Sequence, residues 1–84
     1  MYRVEFTRSA RKELESLSDS ILARVFSTIE SLPENPRPRG CKKLKGSDQL
    51  WRIRIGDYRI VYVIDDQARS VDIRAIRHRS DVYG

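Results

Sequence analysis

Apolar residues follow a period of two at the start of the chain, a helical period through its first third, and a period of two again over its second half. Residues 2–6, Tyr-Arg-Val-Glu-Phe, alternate and predict a short strand. Ala10, Leu14 and Leu17 then share one stripe of a helix that Thr7 or Ser9 can cap. A second helix, capped by Ser18 or Asp19, carries Ile21, Leu22, Val25, Phe26, Ile29 and Leu32 on its apolar stripe and stops at Pro33. The two helices are expected to form a hairpin that covers a sheet.

Residues 33–40 are Pro-rich, hence extended. Lys43-Leu44-Lys45-Gly46 reads as a short lead-in, with a turn at Gly46-Ser47-Asp48. Three strands follow at Leu50–Ile55, Tyr58–Ile64 and Ser70–Arg77, the last two joined by the polar loop 65–69. The order strand, helix, helix, strand, strand, strand predicts a single α+β domain over residues 1–84: an N-terminal strand, a two-helix hairpin and three antiparallel strands, with the helices on one face of a largely antiparallel sheet.

Gly56-Asp57 is a two-residue connection that suits a type II′ turn. Such a turn sets Ile55 against Tyr58 and Arg54 against Arg59. Alternation then gives one face to Trp51, Ile53 and Ile55 and the other to Arg52 and Arg54, with Arg59 joining the arginines across the hairpin. Like charges directly opposite each other destabilise a sheet. Their convergence points to a phosphate, which guanidinium grips as a bidentate fork. The plainer reading is a solvated strand face whose arginines splay apart or pair with Asp72. Trp51, alternating with Ile53 and Ile55, fits core packing better than base stacking.

Charge sharpens this picture. The net +5 is not spread along the chain: residues 37–59 carry eight basic side chains against Asp48 and Asp57, while residues 1–36 net −1 and residues 60–84 net zero. Concentration of one sign in a folded segment favours a nucleic acid, with an acidic protein segment as the other candidate for the same patch. Cys41 is the single cysteine, so no internal disulfide is possible, and no apolar run is long enough to span a bilayer. The opening residues hold no apolar signal core, and a soluble, cytoplasmic domain is expected. No metal-binding cluster, Gly-rich phosphate loop or Ser/His/Asp spacing is present, and no cofactor is expected. The tail Arg77-His78-Arg79-Ser80-Asp81-Val82-Tyr83 adds an imidazole and a phenol, and the strand before it should lie beside the arginine hairpin.

Three stretches taken together resemble the RelE/ParE toxins of bacterial toxin–antitoxin pairs. They are Lys43-Leu44-Lys45-Gly46, Trp51 to Tyr62 (Trp-Arg-Ile-Arg-Ile-Gly-Asp-Tyr-Arg-Ile-Val-Tyr), and His78-Arg79-Ser80-Asp81-Val82-Tyr83. Val4-Glu5-Phe6-Thr7 and Lys12-Glu13-Leu14 fit the opening strand and helix of the same family. The resemblance implies a protein antitoxin that wraps and neutralises the toxin, with higher-order toxin–antitoxin complexes as a further expectation. For the RelE-like branch it also implies metal-free cleavage of mRNA in the ribosomal A site. It assigns catalytic positions to Arg52, Arg54, Arg59, His78, Arg79 (Arg77 being the second choice for that arginine) and Tyr83. Lys42, Lys43, Lys45 and Arg77 are the expected RNA-backbone contacts.

Such cleavage needs a base for the 2′-OH, cations for the phosphorane and an acid for the leaving 5′ oxygen. Guanidinium does not deprotonate in proteins, so the arginines supply charge. Where some RelE members carry lysines, this chain has Arg52 and Arg54, which leaves His78 as the expected general base and Tyr83 for stacking or proton transfer. Two other functions fit the same fold: a ParE-like inhibitor of DNA gyrase without nuclease activity, and an inactive module that binds nucleic acid or antitoxin through the basic patch.

Overall fold

The computed structural model describes residues 1–46 and 49–82, with backbone alone at 81 and 82. Strand β1 (Arg3–Phe6) leads into helix α1 (Arg8–Glu15) and helix α2 (Asp19–Ser31). Strands β2 (Lys42–Lys43), β3 (Leu50–Ile55), β4 (Tyr58–Asp65) and β5 (Ser70–His78) follow, and a turn of helix, α3 (Arg79–Val82), closes the described chain. Thr7 caps α1 by accepting the Ala10 N–H at 3.1 Å. Ser18 takes the N-cap position of α2 without a side-chain hydrogen bond, and Asp19 sits in the first turn, where a carboxylate complements the helix dipole.

The five strands form one sheet in the order β1-β5-β4-β3-β2. Three pairings are antiparallel, as expected; β1 joins the far edge parallel to β5, with Val4 beside Val71 and Phe6 beside Ile73. The lead-in before Gly46 is an edge strand, β2, two residues long. Of the expected turn at Gly46-Ser47-Asp48, Gly46 has φ +81 and the other two residues lie outside the described ones. Strands β4 and β5 each run one residue further than the sequence predicts.

Ile53, Ile55, Ile60, Tyr62, Ile64, Val71, Ile73 and Ile76 form the buried face of the sheet, and Ala10, Val25, Ile29 and Leu32 cover it. Each such aliphatic side chain removed from water contributes roughly 1.5–3 kcal/mol. Phe26, expected on the buried stripe, is instead 48% exposed and lines an open groove with Leu14, Leu22 and Ala23.

The Pro-rich segment lies strapped to the sheet. The buried Tyr62 hydroxyl donates to the Pro36 carbonyl at 2.9 Å. Burial, followed by the nearby Cys41, holds that phenol above its ordinary range. Arg37 makes a two-pronged contact with Asp66 (3.2 and 2.8 Å) and lies 4.9 Å from the centre of the Trp51 ring. Trp51 itself packs half-buried against the core.

Candidate nucleic-acid interface

The hairpin between β3 and β4 turns on Gly56 (φ +60), while Asp57 has no positive φ, the combination a type II′ turn requires. The resulting register puts Ile55 beside Tyr58 and Arg54 directly opposite Arg59. Across β4 the row continues, with Arg59 opposite Arg77. Three guanidinium-bearing residues therefore line one row across three strands, on the face away from the helices. Arg52 stands two residues along β3 from Arg54, opposite Val61 on one side and Lys42 on the other.

Arg79 reaches the same place by another route. Its backbone N–H donates to the Asp57 carbonyl at 2.7 Å, pinning the start of α3 onto the hairpin turn. Its Nε lies 4.0 Å from the Asp57 carboxylate, both groups being largely exposed. Arg54, Gly56, Asp57, Tyr58, Arg59 and Arg79 consequently line one cavity of about 160 Å³. The Nε of Arg59 is buried, and the residue lines the cavity. A concave site walled by three guanidiniums and a single carboxylate suits a phosphodiester.

Arg77 shares the row but is held from the helix side. The Glu13 carboxylate accepts the Ile76 N–H at 3.0 Å through one oxygen and the Arg77 Nε at 2.9 Å through the other. This contact arises because β1 ends at Phe6, leaving the outer edge of β5 beyond Ile73 to α1. Glu13 thus takes over the edge N–H that a longer β1 would have bonded. Asp72, the other candidate partner for the arginine row, pairs with Arg74 at 2.8 Å.

His78 does not join the arginines. Strand β5 carries a bulge where Val61 pairs with Ala75 but Tyr62 with Ile73, so Arg74 is the extra residue. Without it, the alternation of Val71 and Ile73 would turn Ile76 and His78 towards the arginine face. With it, Ile76 returns to the core, Arg77 takes the arginine row, and His78 falls on the helix side opposite Tyr58. The two rings meet edge to face, 5.3 Å apart at 87°. The Ser80 N–H donates to His78 Nδ1 at 3.2 Å, so in the neutral ring the proton sits on Nε2. The imidazole therefore meets the hairpin at Tyr58, on the face opposite the arginine row, and the bulge is the reason. Its trace in the sequence is the three-residue spacing of Ile73 and Ile76, where a flat strand would space them by two.

Of the lysines expected on the RNA backbone, Lys42 shares the face of Arg52, Lys43 pairs with Trp51 on the other alternation, and Lys45 is exposed in the turn after β2. Tyr83 lies outside the described residues. Sequence reasoning missed Glu13 and the Asp57 carbonyl, whose partners are 63 and 22 residues away and leave no local mark.

The fold that carries this cleft, a mostly antiparallel sheet with two helices on one face, has close counterparts. The RelE–RelB complex of Pyrococcus horikoshii matches at a TM-score of 0.83, with 30% identity over 93% of this chain and 94% of the other. The RelBE2 complex of Mycobacterium tuberculosis matches at 0.78, with 36% identity over 93% and 98%. A Methanocaldococcus jannaschii protein that carries the name RelE1 is 38% identical over 98% of this chain and 94% of its own. The family model described as the ParE toxin of type II toxin–antitoxin systems, parDE, matches residues 4–83. Fold and site thus define a type II toxin, and the chain belongs to the ParE toxin family within the RelE/ParE superfamily, its relatives lying on the RelE side.

Proposed function

We propose that this toxin cleaves messenger RNA on the ribosome, using the cleft at the β3–β4 turn, and that a cognate antitoxin neutralises it. The observation that carries the reading is the meeting of Arg54, Arg59 and Arg79 around one cavity, two of them in direct cross-strand opposition. A fold selected for stability alone would not oppose like charges at a turn it also pins with Arg79. The RelE side of the family adds support, and matched structures of RelE with RelB support the antitoxin.

In the proposed reaction a ribose 2′-OH attacks its own 3′ phosphorus in line. A general base takes the 2′-OH proton, the P–O bond to the next nucleotide's 5′ oxygen breaks, and an acid protonates that oxygen, leaving a 2′,3′-cyclic phosphate and a 5′-OH. The guanidiniums neutralise the charge that grows on the equatorial oxygens, where preorganised cations act most strongly. Arg54 and Arg59 stand opposite each other on paired strands, and the backbone bond of Arg79 to Asp57 brings its side chain to the same cleft. His78, the general base that the family resemblance suggests, stands edge-on to Tyr58, which lines the cleft. Tyr83 keeps the stacking or proton-transfer role that the family resemblance gives it.

The test is induced expression of the wild type and of Arg59→Ala/Tyr83→Ala, with reporter mRNA mapped by primer extension in translated and untranslated forms. Cuts confined to translated message and absent in the double mutant are expected. Growth arrest with intact message would overturn the nuclease reading in favour of DNA gyrase, the target expected of ParE-like toxins.

A further inference from the structure

A second basic concavity lies on the other side of Arg54. Arg24, Ser27 and Thr28 of α2, Arg39 of the Pro-rich segment, and Arg54 and Gly56 of the hairpin line an open groove of about 580 Å³, floored by Ile53 and Ile55. Three guanidiniums border it and no carboxylate does. Among the described residues, Arg24, Arg39 and Arg54 make no ion pair. Other exposed arginines of this chain do find acids: Arg3 with Glu5, Arg37 with Asp66, Arg74 with Asp72, and Arg77 with Glu13. Arg8, Arg11 and Arg69 are likewise exposed without an ion pair among the described residues, but they are scattered over the surface, whereas Arg24, Arg39 and Arg54 border one groove.

Gly56 ties the groove to the cleft. A Cβ there would come within 3.2 Å of the Arg24 Nη1, so the guanidinium of α2 lies directly against the hairpin turn. Arg54 and Gly56 line both concavities, with Arg59 and Arg79 beyond them on one side and Arg24 and Arg39 on the other. A polyanion bound at the cleft and continuing over the turn would pass from one to the other.

We infer that the groove between α2 and β3 is a second phosphate subsite, which holds the neighbouring phosphate of the same RNA strand through Arg24 and Arg39, with Arg54 shared between the two. The inference rests on the RNA reading of the cleft and deepens it: the ligand is a single strand at least two phosphates long. The apolar floor of Ile53 and Ile55 gives the intervening ribose or base a surface to lie on.

The test is the salt dependence of binding, measured by fluorescence anisotropy on purified toxin with a 2′-O-methyl, uncleavable 12-nucleotide single strand. Each single-strand phosphate contact contributes roughly −0.7 to the slope of log K against log[salt]. Arg24→Ala/Arg39→Ala is expected to flatten the slope by about 0.7, one phosphate contact, while Arg24→Lys/Arg39→Lys, which keeps the charges, retains it and controls for folding. An unchanged slope in the alanine variant overturns the subsite and leaves the cleft standing. No binding by the wild type at low salt overturns the RNA reading and the subsite with it. A loss seen only when ribosomes are present reassigns the groove to ribosomal RNA and overturns the shared-strand inference.

Discussion

Arg54→Thr should make this protein more stable and less toxic at once. Arg54 is exposed and faces Arg59 directly across the hairpin. Two unit charges about 6 Å apart in water repel by about 0.7 kcal/mol. Screening at physiological ionic strength roughly halves that figure. Threonine also suits a strand better than arginine, by a few tenths of a kcal/mol. The gain is then about 0.5 kcal/mol, which in a domain of this size raises Tm by roughly 2–4 °C. The same change removes one charge-assisted grip on phosphate, worth about 1.5–3 kcal/mol, or roughly ten- to hundredfold in cleavage. Thermal melts at low salt and at 1 M NaCl, with reporter cleavage beside them, separate the two effects. The repulsive part of the Tm gain should vanish at 1 M, where the Debye length is about 3 Å. A lower Tm at low salt would refute the argument, because it would mean that Arg54 is tied into the fold. Full cleavage by a stabilised variant would refute the assignment of Arg54 to the site.

Other expectations follow from the contacts around the cleft. Glu13→Ala removes the acceptor of the Ile76 N–H as well as the Arg77 partner, and should cost about 2–3 kcal/mol in urea unfolding; Arg77→Ala, losing only a half-exposed ion pair, should cost under about 1 kcal/mol, and equal costs would contradict the grip on β5. Tyr62→Phe leaves the Pro36 carbonyl without its buried donor and should lower stability by about 1–2 kcal/mol, read as a shift in urea midpoint at constant m-value. Asp66, whose carboxyl is held below its ordinary range first by Arg37 and then by Tyr2, contributes stability above the unfolded carboxylate pKa, and that contribution is lost as pH falls through the lower folded value. Asp66→Asn should therefore flatten the acid limb of the wild-type stability profile between neutral pH and about pH 3; superimposable profiles would show that the cluster adds nothing. Tyr58→Ala, which removes the ring that His78 packs against, should reduce cleavage in the primer-extension assay while leaving retention on immobilised antitoxin intact.

The sequence by itself determined what depends on neighbours a few residues apart. Helical and strand periods, the proline stop after Leu32, and the Gly56-Asp57 turn are all short-range, and they were enough to set Arg54 against Arg59. The tertiary structure alone decided which basic residues the site keeps. Arg37, within the basic stretch, is withdrawn from it by Asp66, 29 residues away. Arg77 is shared with Glu13, 64 residues away, because β1 stops short and α1 takes its edge. Arg79 arrives through a backbone bond to Asp57, and Arg24 by laying its guanidinium against Gly56. His78 shows the limit most clearly: one extra residue in β5 exchanged its face with that of Arg77. A strand's side chains change sides with every residue, so a single bulge, invisible to charge counts, decides which of two adjacent residues joins the arginine row.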